Sequence, residues 1–281
     1  MANNINWGKI YESTAWGSGV SDNNISWGKS YADLAGGGGF DADYQAVLDQ
    51  ASSLGYTAPS AAQQTLQNTL VTDLKTAGIW SKLDALYIMA NDGSREFGRL
   101  NWASPSNFEL SELPSTPTFT LNEGFSAGNG LDTGITLDID TTHFSTTNKE
   151  GSFGGWSYYT KAAGAPALMG TDANTNDMRG GANDHIMEVL APSDILISGL
   201  YHMNASPSGV NINATQYQNG SLVTFQTGST GQYTPATMHL LSEGGVSNFS
   251  LDTISIAFIG GDLSAEASDL YNAFNTYMSA I

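Results

Sequence analysis

The sequence predicts a mainly β protein in which an antiparallel β-sandwich follows an extended N-terminal arm and a small helical region. Three observations carry that prediction. Beyond Asn91 the chain breaks into short runs rich in β-branched and aromatic residues, separated by Gly, Asn, Ser and Pro. One separator, Asn219-Gly220, stands between TQYQ and SLVTFQ and is a strong two-residue hairpin signal. Charged residues make up only 13% while Gly reaches 32 residues, and 11 Phe, 12 Tyr and 6 Trp supply enough apolar surface to disfavour disorder.

Residues 1–39 form the arm. NNINWGKIY at 3–11 returns as NNISWGKSY at 23–31, and the segment closes on Gly36-Gly37-Gly38-Gly39. So few aliphatic residues do not make a core, and four glycines make a flexible hinge. The repeat reads as a pair of docking anchors. Trp7 and Trp27 would fill apolar pockets, Lys9 and Lys29 would meet acidic rims, and Tyr11, Trp16 and Tyr31 add aromatic contact. Pairing of the two copies with each other, as a hairpin within one subunit or trimer, is the competing expectation.

Residues 40–100 read as the helical region. Asp41 caps a first helix whose apolar stripe is Tyr44, Val47, Leu48 and Ala51, with Gly55 as its stop. Pro59-Ser60 opens a second, with Ser60 and Gln63 in capping-box spacing and a stripe of Leu66, Leu70, Leu74 and Ala77 ended by Gly78. A third, shorter helix is expected over Ile79–Met89.

The sandwich is expected over 101–281. Its strands are PTFTL (117–121), GITLDID (134–140), DILISGLYHM (194–203), GVNINATQYQNG (209–220), SLVTFQT (221–227) and DTISIAFIG (252–260). A last helix is capped by Ser264 and buries Leu270, Phe274, Tyr277, Met278 and Ile281 on one face.

Two resemblances rest on these residues. The terminal LDTISIAFIGGDLSAEASDLYNAFNTYM resembles the end of concanavalin-like jelly-roll domains of the laminin-G or pentraxin type. In these a last strand leads through a Leu-Ser-x-x-Glu turn to a short helix ending Leu-Tyr. Here Leu263, Ser264, Glu266 and Leu270-Tyr271 stand in that pattern, the Glu one position early, and GVNINATQYQNGSLV resembles the same superfamily's Asn-Gly hairpin. More broadly, the WGKIY-type start, YQAVLDQASSLGY…LVTDLKTAGIWSKLDALYIMANDG, NWASPSNFEL and PTFTLNEGFSAGNG…LDTGI resemble virion structural proteins of tailed bacteriophages, of fibre or decoration type. These resemblances imply a jelly-roll, lectin-like sandwich displayed on a particle.

Concanavalin-like folds include laminarinase-type glucanases, which carry Glu-x-Asp-x-Glu on one strand so that the outer pair acts as nucleophile and acid. The nearest match is Thr136-Leu137-Asp138-Ile139-Asp140-Thr141-Thr142. Asp138 and Asp140 would share a face, but Thr136 and Thr142 replace the flanking carboxylate in either register. The four histidines, at 143, 185, 202 and 239, never come within metal-ligand spacing, and no G-x-S-x-G elbow occurs. The expectation is therefore a chain that is not an enzyme. TDANTND (171–177) offers Asp172, Asn174 and Asp177 as calcium ligands, against an Asx-rich turn that satisfies its own backbone. In FGGWSYY (153–159), Trp156 and Tyr158 share a face and are the candidates for stacking on a sugar ring.

Composition narrows the partners. The net charge is −18, and residues 180–281 contain no Lys or Arg, so phosphate backbones are repelled and no nucleic-acid partner is expected. No apolar run approaches the roughly 20 residues of a membrane span. There is no cysteine, and residues 1–20 lack the basic start and apolar core of a secretory signal. That combination fits a protein made in a host cytoplasm and carried away in a virion, and equally a mature, signal-cleaved chain. Two functions compete. One is a phage virion structural protein whose arm docks to capsid, collar or tail and whose sandwich is displayed, as a homo-oligomer such as a trimer, with host glycans as further partners. The alternative is a carbohydrate-binding lectin or adhesin not tied to a virion.

Overall fold

The run from Leu83 to Ile88 sets the architecture, and it does so as a strand rather than the expected helix. In the computed structural model, which describes residues 39–126, 128, 130–145, 150–158, 168–171, 199–208, 211–229, 236–242, 250 and 252–281, a single 3-10 turn at Trp80–Lys82 leads into β1 (Leu83–Ile88). The reason is that this run, Asp84 apart, is apolar on every side. An amphipathic helix would leave part of it in water, whereas a strand in a sheet covered on both faces buries both of its sides.

Two helices precede β1, where the local signals place them. α1 (Ala42–Leu54) starts at Asp41, whose carboxylate accepts the Asp43 N–H at 2.9 Å, and stops at Gly55, which takes the left-handed conformation at φ 74°. α2 (Ala61–Thr76) is capped by Ser60, which accepts from the Gln63 N–H.

After β1, short strands build two sheets: β2 (Ser111–Glu112), β3 (Thr118–Thr120), β4 (Gly124–Ser126), β5 (Leu131–Thr136), β6 (Gly151–Tyr158) and β7 (Met169–Thr171). They are followed by β8 (Gly199–Ser208), β9 (Asn211–Gln218), β10 (Ser221–Ser229), β11 (Thr237–Leu240), β12 (Thr253–Gly260) and the final helix α3 (Ala267–Met278). Among the described residues the larger sheet runs β10-β9-β8-β6-β12-β4-β3, with β1 also on β12, and the smaller runs β2-β5-β11-β7. The turn between β9 and β10 is the expected Asn-Gly hairpin, with Asn219 and Gly220 both at positive φ (51° and 74°) and Gln218 facing Ser221.

The larger sheet is covered on both faces. Phe125, Phe153, Ile254 and Ile259 meet Leu131, Ile135, Met238 and Leu240 of the smaller sheet. On the opposite face Leu86, Trp156, Ile256 and Phe258 lie beneath Tyr44, Leu70, Leu74, Phe274 and Tyr277 of the helices. The protein is a mainly β sandwich, as expected, with a helical layer on its outer side. Jelly-roll order is not part of what the strands show, since β8, β9 and β10 follow one another as a meander within a single sheet.

β1 and β12 each serve both cores, and irregularities in pairing make this work. Ile254 faces the smaller sheet but Ile256, two residues on, faces the helices; a register shift falls between them. Leu83 and Ala85 divide in the same way across a second shift. One extra residue in a strand reverses the parity of every side chain after it.

A chain of buried hydrogen bonds ties the helices to the sheet. The Tyr44 hydroxyl donates to Gln67 Oε1 at 2.7 Å, Gln67 Nε2 donates to the Tyr277 hydroxyl at 3.1 Å, and that hydroxyl donates to the Ala90 carbonyl at 2.6 Å. Burial pushes both phenols well above their ordinary pKa, so both stay protonated and able to donate. The Tyr277→Phe variant leaves Gln67 Nε2 and the Ala90 carbonyl without this partner. It should cost about 1–3 kcal/mol, read as a fall of several degrees in Tm.

Candidate functional site

The antiparallel register of β1 and β12 puts the start of one beside the end of the other, with Leu83 opposite Gly260. The backbones approach closely there. A Cβ on Gly260 would sit 2.4 Å from the Lys82 carbonyl oxygen, so only glycine fits. Gly261 then donates its N–H to that same carbonyl at 2.9 Å. Asp262 Oδ1 accepts the Ser264 N–H at 2.8 Å, and this turn delays the start of α3 past the expected Ser264 cap to Glu266. Buried Leu263 pins the turn by donating its N–H to Ser152 Oγ at 3.0 Å and Asn204 Oδ1 at 3.2 Å.

A second wall comes from residues 141–145. The carboxylate of Asp84 on β1, only 5% exposed, accepts the N–H groups of Thr142 at 2.7 Å, His143 at 2.9 Å and Phe144 at 2.7 Å. His143 Nδ1 lies 3.0 Å from the same carboxylate. Ser145 and Glu150 exchange both backbone hydrogen bonds and carry the wall back into β6.

Between these walls lies a cleft of about 410 Å³, lined by Lys82, Thr142, His143, Ser145, Glu150, Gly261, Asp262, Ser264, Ala265 and Glu266. Lys82 Nζ donates to Glu266 Oε1 at 2.8 Å and to the Asp262 carbonyl at 3.2 Å. Glu150 and Asp262 have no cationic partner within ion-pair distance among the described residues. The cleft thus offers three carboxylates against one ammonium, interleaved with hydroxyls and an imidazole. Such a surface suits an uncharged ligand rich in hydroxyl groups, which both donate and accept.

The residues expected from sequence fare differently. Trp156 is 8% exposed and one face of its ring is stacked on Tyr271, with centroids 6.1 Å apart and planes 5° from parallel, so it serves the core and has no open face for a sugar. Tyr158 closes β6, and its side chain is outside the described residues, as are Asp172, Asn174 and Asp177. The anchors Trp7, Lys9, Tyr11, Trp16, Trp27, Lys29 and Tyr31 lie outside them too. Asp138 and Asp140 do not share a strand face. β5 ends at Thr136 and the chain turns, with Asp138 at φ 68° and Asp140 Oδ2 accepting the Thr136 N–H. Among the described residues no group of three or more His, Asp or Glu is arranged to hold a metal ion, and no helix is long and apolar enough to cross a membrane.

Sequence reading missed the cleft because its residues come from three distant segments. The one local clue is Asp84, the only charged residue in the run from Leu83 to Ala90.

The other described histidines do not join the cleft. His239 sits on β11, 3.7 Å from Asp132. His202 is 1% exposed, stacked on Tyr217 at 5.1 Å and edge-on to Phe258 at 5.5 Å, and neither ring nitrogen has a hydrogen-bond partner among the described residues.

No protein-family model and no curated protein sequence matches the chain. Solved structures similar to it include Trypanosoma rangeli sialidase, at 10% identity and a TM-score of 0.44 over 77% of this chain and 40% of the sialidase. The same sialidase in complex with 2,3-difluoro-KDN gives 11% and 0.46, over 76% and 40%. Domain 4 of AbnA, a GH43 extracellular arabinanase from Geobacillus stearothermophilus, in complex with arabinotriose, gives 11% and 0.41, over 68% of this chain and 98% of that domain. The chain spans about 40% of the sialidase's length. At these scores the similarity gives this chain neither a substrate nor a reaction. It does correct one expectation: with sialidases and an arabinanase domain among the similar structures, the reading of the chain as a non-enzyme is withdrawn.

Burial pushes the His202 pKa from 6.5 down to about 3, so the ring stays neutral in the folded protein well into acid. In the unfolded chain it binds a proton near pH 6.5. Between these values the unfolded state holds the extra proton, so stability falls as pH falls, by up to about 1.4 kcal/mol per pH unit from this group. The His202→Phe variant should therefore show a flatter loss of stability between pH 6 and pH 4 in urea titrations than the unaltered protein.

Proposed function

We propose that the sandwich is a carbohydrate-binding module that takes a neutral sugar in the cleft at the joined ends of β1 and β12. The cleft itself carries the reading: its size falls within the range of small-molecule sites, and acceptors at Glu150, Asp262 and Glu266 alternate with donors at Lys82 and Ser264. The excess of carboxylates within it, on a chain of net charge −18, disfavours sugars that carry a carboxylate. A glycan array should retain the protein on neutral sugars and not on acidic ones. The double variant Glu150→Gln, Asp262→Asn should weaken that retention roughly tenfold. Failure to bind any neutral glycan would dismiss the reading.

The arm supports a second, compatible proposal. The duplicated NNINWGKIY and NNISWGKSY segments, and the resemblance to tailed-phage virion proteins, fit a chain that docks through residues 1–39 to capsid, collar or tail. It would display its sandwich as a fibre or decoration, oligomeric and facing host glycans. A lectin or adhesin outside any virion is the alternative. Deleting residues 1–36 should abolish incorporation into particles while leaving glycan retention intact; normal incorporation of the truncated chain would defeat the docking reading.

A further inference from the structure

Asp84 does more than hold the wall of the cleft, because it also decides what the edge of His143 presents. Both carboxylate oxygens of Asp84 are acceptors of backbone N–H groups: Oδ1 from Thr142 at 2.7 Å and His143 at 2.9 Å, and Oδ2 from Phe144 at 2.7 Å. Those bonds point hydrogens at both oxygens, so the carboxylate serves as an acceptor throughout. His143 Nδ1, 3.0 Å from Oδ1, meets an acceptor and must itself carry the hydrogen. In the neutral ring the proton is then absent from Nε2, which keeps its lone pair. Among the described residues no group bonds Nε2, and the side chain, 38% exposed, lines the cleft.

We propose that His143 is a specificity-determining residue, held by Asp84 as the Nδ1–H tautomer so that Nε2 accepts a hydrogen bond from one hydroxyl of the bound sugar. The inference rests on the cleft being the glycan site. The arrangement distinguishes a free hydroxyl from the same position methylated or deoxygenated, since neither of those donates a hydrogen. It also gives the brace a chemical purpose: three backbone donors alone would fix the loop, whereas the fourth contact fixes the tautomer.

Two measurements on the full-length protein test this. Long-range proton–nitrogen correlation spectra of the imidazoles at pH 7.5 should show His143 protonated on Nδ1 and bare on Nε2; the opposite tautomer overturns the proposal without reference to any ligand. Titration with methyl glycosides of glucose, galactose, mannose and N-acetylglucosamine then identifies a bound sugar, and its monodeoxy and mono-O-methyl derivatives follow. One hydroxyl change should weaken binding to the unaltered protein roughly tenfold. The His143→Phe variant should bind the parent sugar about tenfold more weakly and be indifferent to that same change, while His143→Gln, which keeps an acceptor, should recover part of the difference. If the parent sugar binds both variants as tightly as the unaltered protein, the role of His143 is wrong and the cleft reading survives. If no methyl glycoside binds the unaltered protein, the cleft reading falls, and the ligand half of this inference with it.

Discussion

The pairing of β1 with β12 is the contact on which the rest of the molecule depends. Successive side chains of these two strands go almost without exception into buried surroundings on both faces. Their hydrogen bonds add β1 to the larger sheet, and their side chains contribute to two cores at once. Disturbing the register by one residue would send Phe258 toward the smaller sheet and Ile259 toward the helices, exchanging a large ring for a smaller side chain in both layers. The same pairing brings Lys82 and Asp84 against the turn that follows Gly260, so the cleft is a by-product of the fold's central contact and not an appended loop.

The helical layer is attached by a different physics. Leu70, Leu74 and Phe274 bury apolar area against the sheet, and that burial supplies the driving force. Burial alone tolerates sliding. The chain of hydrogen bonds through Tyr44, Gln67, Tyr277 and Ala90 does not, because each group would be left unsatisfied in an apolar setting by a shift of a few ångströms. Apolar contact thus holds the helices down, and a polar thread fixes where they sit.

Much of this was legible in sequence where the determinants are local. Asp41 and Gly55 bound α1, Ser60 starts α2, and Asn219-Gly220 turns β9 into β10, each through a short-range hydrogen bond or a backbone conformation that few residues adopt. The strand at Leu83–Ile88 was not legible, because burial on both faces erases the alternation that marks a strand. Trp156 shows a related limit. Periodicity tells which residues share its face, but not that Tyr271, 115 positions later in the chain, covers it. The cleft was hidden for the same reason, since nothing near Asp84 in the sequence announces the backbone of residues 142–144.

Asp84 also has a thermodynamic consequence. Its carboxylate is fully engaged with the 142–144 backbone before anything enters the cleft, and on the other side Leu263 is clamped by Ser152 and Asn204. These bonds fix the backbone at 142–144 and at Leu263, so ordering those segments adds no cost when a small molecule arrives. A groove with its backbone braced in this way selects by shape and hydrogen-bond match more than by rearrangement.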